Sequence, residues 1–226
     1  MLVGAASGFL LVLFIDAASA GDTPTSAPAL PDVSLAPAVV VAAGADSIDT
    51  NAVTRLTAFT AAGTEHGTGF QVDDGRIATV AHALIDIRGV GLGEPDDQLL
   101  IPLDGEGAAP LGLSPVNDLA AFVYPTDLSA LPIASTPAQP GEIVALAGYA
   151  RNERLEVVTG RVLSRTSGAG YGMSEPDVFA IEAPVENGWS GGPVVNGLGE
   201  VVAVIVGTET VSGVTIAVPI EHLPNP

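Results

Sequence analysis

From Val53 onward, short apolar runs alternate with clusters of Gly, Pro and Asp, and no stretch carries a sustained helical period. The pattern predicts strands over Val53 to Thr60, Gly69 to Val72, Arg76 to Val80, Gln98 to Leu103 and Leu119 to Tyr124. Further strands are expected over Ile143 to Tyr149, Leu155 to Ser164, Val178 to Ala183, Val201 to Gly207 and Val214 to Val218. An all-β domain is expected, with helix confined to the turn after His82, through Ile87, and to Ile220 to Leu223. The Pro-rich segment Pro125 to Pro140 divides the strands into two sets, as a connection between two barrels does. The folded domain is therefore expected over 49–226, with one barrel at about 49–126 and another at about 138–226.

The preceding residues have a different composition. Leu2 to Ile15 are almost wholly apolar and are followed by Ala18-Ser19-Ala20, so residues 1–20 read as a secretory signal peptide or a membrane anchor. No Lys or Arg precedes this run, and its ~14 apolar residues fall short of the ~20 that span a bilayer. Residues 21–48 form an Ala/Pro-rich stretch of linker composition.

Charge and cysteine content narrow the function. With 26 acidic residues against seven arginines, the formal net charge is −19, a field that repels nucleic acid and anionic membrane surfaces. Membrane contact is expected only through the N-terminal segment. No cysteine is present, which excludes disulfides, thiolate metal sites and cysteine nucleophiles. With only His66, His82 and His222 as histidines, a metal centre is not expected.

Three places carry candidate chemistry. In Asn187-Gly188-Trp189-Ser190-Gly191-Gly192-Pro193 a serine sits among glycines that can turn backbone amides toward one point, the arrangement of an acyl-transfer site. His82 ends an apolar strand, whereas His66 and His222 read as ordinary surface or core histidines. Asp118 stands at the mouth of the apolar run Leu119 to Val123, a position equally suited to a turn residue. The pentapeptide from Gly188 to Gly192 also satisfies G-x-S-x-G, but a nucleophile elbow passes from strand into helix, and Gly191-Gly192-Pro193 does not start one.

Taken together, Gly67-Thr68-Gly69-Phe70, Thr79 to His82, Asn117 to Val123 and Gly188 to Pro193 resemble the trypsin-like (chymotrypsin-fold) serine proteases, in that family's His, Asp, Ser order. The likeness spans about residues 50 to 223 and is nearest in pattern to the bacterial HtrA/Deg and MarP-type exported proteases. No PDZ domain is expected after Pro226, and the lack of cysteine departs from MarP-type enzymes. The resemblance implies two six-stranded antiparallel β-barrels with a short C-terminal helix, and a protein or peptide substrate. It implies Ser190 as nucleophile, His82 as general base and Asp118 as its orienting carboxylate, with the Gly188 and Ser190 N–H groups forming the oxyanion hole. Where digestive members carry an Asp at the floor of the specificity pocket, this chain has Pro184. An apolar pocket walled by Val204, Ile205, Val206 and Gly207 is expected. Trp189 replaces the Asp that answers a new N-terminus in digestive members, so activation by that ion pair is not expected. A catalytically silent, peptide- or partner-binding relative is the alternative.

Overall fold

The computed structural model describes residues 42–60, 63–72, 75–84, 87–95, 97–103, 105–150, 154–171, 173, 177–209 and 212–226. The expected export segment and most of the expected linker lie outside these. Among the described residues all regular structure is strand or single turns of 3-10 helix.

Seven strands form an antiparallel sheet: β1 (Val53–Thr60), β2 (Gly63–Gln71), β3 (Arg76–Val80), β4 (Gly89–Leu92), β5 (Leu99–Pro102), β6 (Leu111–Ser114) and β7 (Leu119–Val123), in the order β5-β4-β1-β2-β3-β7-β6. Six more close into a barrel: β8 (Ile143–Tyr149), β9 (Leu155–Ser167), β10 (Asp177–Glu182), β11 (Pro193–Val195), β12 (Val201–Thr208) and β13 (Thr215–Pro219), in the order β10-β13-β12-β11-β8-β9. The second barrel is the one expected. The first differs from a closed six-stranded barrel: among the described residues β5 and β6 remain its two edges. The chain between them turns at Gly105 and Gly107, both at positive φ, instead of pairing them.

The unbroken apolar runs are explained by burial on both faces. On β7, Ala120 and Phe122 point into the first sheet's interior, while Leu119 and Ala121 join a core shared with the second barrel. On β8, Val144 and Leu146 fill the barrel, while Ala145 and Ala147 face that shared core. Period-two alternation is therefore present, but both faces are apolar. Alanines at the seam let the two sheets approach closely.

The Pro-rich connection bridges the two halves. Leu131 N–H donates to Gln71 O at 2.9 Å on the first sheet, and Val201 N–H donates to Pro132 O at 2.7 Å on the second. The folded core reaches further back than residue 49: Ala43 and Ile48 are buried in the shared core, and Ala43 N–H donates to Ile143 O at 3.1 Å. The expected C-terminal helix is a single 3-10 turn, Ile220–His222. Pro224 ends it, because the residue before a proline disfavours helical backbone. Beyond the turn, Arg76 Nη1 donates to Pro224 O at 3.1 Å and to Asn225 Oδ1 at 3.2 Å, fastening the tail to β3.

Candidate active site

Sheet register brings His82 and Asp118 together. β3 and β7 pair with Val80 opposite Leu119, so the residues just outside the ladder, Ala81-His82 and Asp118, meet at its end. Ala81 N–H donates to Asp118 O at 3.0 Å. The carboxylate then takes two bonds from His82: the backbone N–H donates to Oδ1 at 2.8 Å and Nδ1 lies 2.7 Å from Oδ2. A carboxylate at Nδ1 assigns the proton of the neutral ring to that nitrogen, which leaves Nε2 as the acceptor. Asp118 has φ 53°, the one non-glycine positive φ among the described residues. Aspartate tolerates this region better than most residues, and such strained backbone concentrates at functional sites. The His82 side chain is half exposed (51%) while that of Asp118 is mostly covered (19%), so the imidazole faces solvent and the carboxylate is largely shielded.

The serine loop is built from close backbone approaches. A Cβ on Gly191, at φ 88°, would stand 2.0 Å from Thr68 O, and one on Gly188, at φ 100°, would stand 2.4 Å from Tyr149 O. Glycine is required at both for sterics as well as dihedral. Gly191 N–H donates to Ile205 O and Ile205 N–H to Gly192 O, each at 2.8 Å, tying the loop to β12. Among the described residues neither Gly188 N–H nor Ser190 N–H donates to another group. The Ser190 hydroxyl donates to Val206 O at 3.0 Å and not to His82.

Two threonines join this loop to the histidine strand. Thr68 N–H donates to Ser190 O at 2.9 Å, Thr68 Oγ1 donates to Gly188 O at 2.8 Å, and Thr79 Oγ1 donates to Thr68 O at 2.8 Å. Thr79 lies on β3, just ahead of His82. Their role was not legible in the sequence; the signal was a hydroxyl between two glycines in Gly67-Thr68-Gly69.

Trp189 turns away from the site. Its indole is 1% exposed and belongs to the core of the second barrel. Of the residues expected to wall a specificity pocket, Val204 and Ile205 are fully buried in the two cores and offer no open surface. Their alternation on β12 leaves neither side chain free. Val206 and Gly207 are partly buried and Pro184 is exposed. A cavity of about 370 Å³ beside them is lined by Val185, Glu186, Asn187 and Thr208. Burial, with Glu94 nearby, holds the Tyr149 phenol above its usual range, partly offset by Arg55, so it stays neutral. His66 sits on β2 beside Thr57, and His222 ends the last turn; neither approaches the His82–Asp118 pair by hydrogen bond.

The fold and the sequence have counterparts. The trypsin-like peptidase domain family matches residues 67–204. The serine protease Rv3671c of Mycobacterium tuberculosis is 32% identical over 148 residues, covering 62% of this chain and 36% of that protein. The mitochondrial serine protease HTRA2 of Bos taurus is 31% identical over 165 residues, covering 70% and 34%. The chain thus spans about a third of the length of these relatives. Among solved structures, the active form of the Rv3671c protease superposes with a TM-score of 0.67 at 24% identity, over 90% of both chains. The HtrA-type protease AlgW with a tripeptide gives 0.65 at 20% identity, over 78% of this chain and 59% of the other. At these identities the superpositions speak to the fold, and the family match speaks to ancestry: the chain belongs to the trypsin-like peptidase domain family.

Proposed function

We propose that this domain is a serine endopeptidase that hydrolyses peptide bonds through an acyl-enzyme. The observation that carries the reading is the carboxylate-bound His82 at the end of β3, the strand whose Thr79 is joined through Thr68 to a serine loop with two unengaged amides. In this reading Ser190 Oγ leaves Val206 O, gives its proton to His82 Nε2 and attacks the scissile carbonyl. Asp118 stabilises the imidazolium, and the Gly188 and Ser190 N–H groups take the charge on the carbonyl oxygen. His82 then protonates the leaving amine, and a water repeats the sequence to release the acid. The residues do this chemistry by themselves, with no cofactor.

Small or medium apolar side chains before the scissile bond are favoured, because Pro184 supplies no counter-charge for a buried guanidinium. The apolar segment at 1–20 supports export, to the exterior or the cell envelope. A second reading, a silent peptide-binding module, is favoured by one observation, the Ser190 hydroxyl bonded to Val206 O. The test is turnover of a peptide ester by Ser190→Ala, His82→Ala and the double variant. A triad acting as a unit predicts nearly the same residual rate in all three. Near wild-type turnover in His82→Ala overturns the assignment.

A further inference from the structure

Thr68 makes an unusual set of bonds for a single buried side chain. It is fully buried on β2, in the first sheet, yet its side-chain partners are a loop and a strand of the second barrel. Tyr149 N–H lies 2.9 Å from Thr68 Oγ1, and Gly188 O lies 2.8 Å from it. An amide N–H only donates, so the hydroxyl accepts from Tyr149 and its one proton goes to Gly188 O. The Thr68 backbone N–H meanwhile donates to Ser190 O. Thr68 therefore grips the Gly188–Trp189 peptide and the Ser190–Gly191 peptide. Between them lies the Trp189–Ser190 peptide, which carries the Ser190 N–H. Thr68 is itself held by the hydroxyl of Thr79, also fully buried.

We propose that Thr68 is a positioning residue whose hydroxyl fixes the orientation of the amides that receive the carbonyl oxygen, an inference that rests on the reading of Ser190 as nucleophile. Without that proton, Gly188 O is a half-buried acceptor with no partner among the described residues, and the peptide is free to rotate toward one. A rotated peptide aims the neighbouring N–H groups away from the developing oxyanion, which slows chemistry and leaves ground-state binding intact. Thr68 touches no reacting atom, so its effect passes through the loop.

The test uses Thr68→Val, which keeps the shape and loses the hydroxyl, Thr68→Ala, which leaves room for a water, and Thr68→Ser, which keeps the hydroxyl. Peptide-ester kinetics are measured per folded molecule, together with affinity for a peptide boronic acid and for the corresponding product acid. The valine and alanine variants are expected to lose roughly tenfold or more in kcat with KM nearly unchanged. Boronate affinity falls in the same proportion, product-acid affinity does not, and serine restores both. The alanine variant carries the test if valine does not fold. Rates and boronate affinity within about twofold of wild type, or a loss that serine does not rescue, overturn the proposal. Ser190→Ala in parallel separates the two readings: activity that survives it removes the nucleophile assignment, whereas activity that needs Ser190 but ignores Thr68 removes this inference alone.

Discussion

The indole of Trp189 lies against Gly148 so closely that a Cβ on that glycine would stand 2.6 Å from the indole Cγ. The residue before Ser190 is thus an anchor in the barrel core, and the glycine opposite is what admits it. Gly148→Ala overpacks this contact and should destabilise the domain by about 1–3 kcal/mol. Trp189→Ala leaves a cavity in its place and should cost about 3–5 kcal/mol. Both appear as a fall in Tm, and an unchanged Tm in both would mean the loop is not anchored there.

Asp118→Asn should be more damaging to rate than to stability. An amide in place of the carboxylate can present its NH₂ to Nδ1, which moves the ring proton to Nε2, where the base must accept. By analogy with the same exchange in other triads, kcat should fall about 10⁴-fold near neutral pH. Melting and turnover measured on one preparation check this; a drop below tenfold would argue that His82 takes its tautomer from another source.

Chains that begin at Ala42 and at Asp49 should differ in stability and agree in specific activity. Starting at Asp49 removes buried Ala43 and Ile48 and the bond from Ala43 N–H to Ile143 O. Loss of one buried aliphatic side chain is worth roughly 1.5–3 kcal/mol. Trp189 offers no charge to a new N-terminal ammonium, so sites counted by active-site titration should turn over equally in both chains. A gain in titratable sites at one particular start, abolished by acetylating that amine, would contradict this.

Specificity turns on where Glu186 points when a substrate is bound. It lines the cavity with Val185, Asn187 and Thr208, while Pro184, expected at the pocket floor, carries no charge. A peptide-library digest should show small or medium apolar residues before the cleaved bond. Glu186→Gln should change that profile little, and strong cleavage after Arg that disappears in Glu186→Gln would show that this carboxylate sets the preference instead.

Much of this was legible because local chemistry and long-range pairing agree. β1, β3 and β8 match the runs Val53 to Thr60, Arg76 to Val80 and Ile143 to Tyr149, the last two preceded by Gly-containing turns. β4 and β6 were not visible: Gly89-Val90-Gly91-Leu92 and Leu111-Gly112-Leu113-Ser114 are short and half glycine or polar, and are held by their ladder partners. β2 begins earlier than expected, at Gly63, because Thr64, Glu65 and His66 pair with β1 while remaining exposed, leaving no apolar signal. In the candidate site, His82, Asp118 and Ser190 were marked by motif and order. Thr68 and Thr79 were not, since a buried hydroxyl's partners depend on contacts across the two halves. At the expected pocket wall the Val204 and Ile205 side chains are buried in the cores, and an apolar run does not reveal which side chains face a core.

The most direct test of the central claim is covalent labelling by a fluorophosphonate, since only an activated serine reacts at a useful rate. The intact protein should take up one label, mapped by mass spectrometry to Ser190, with labelling slowed strongly in His82→Ala and absent in Ser190→Ala. A folded wild-type protein that stays unlabelled, or one labelled as fast without His82 as with it, would contradict the account.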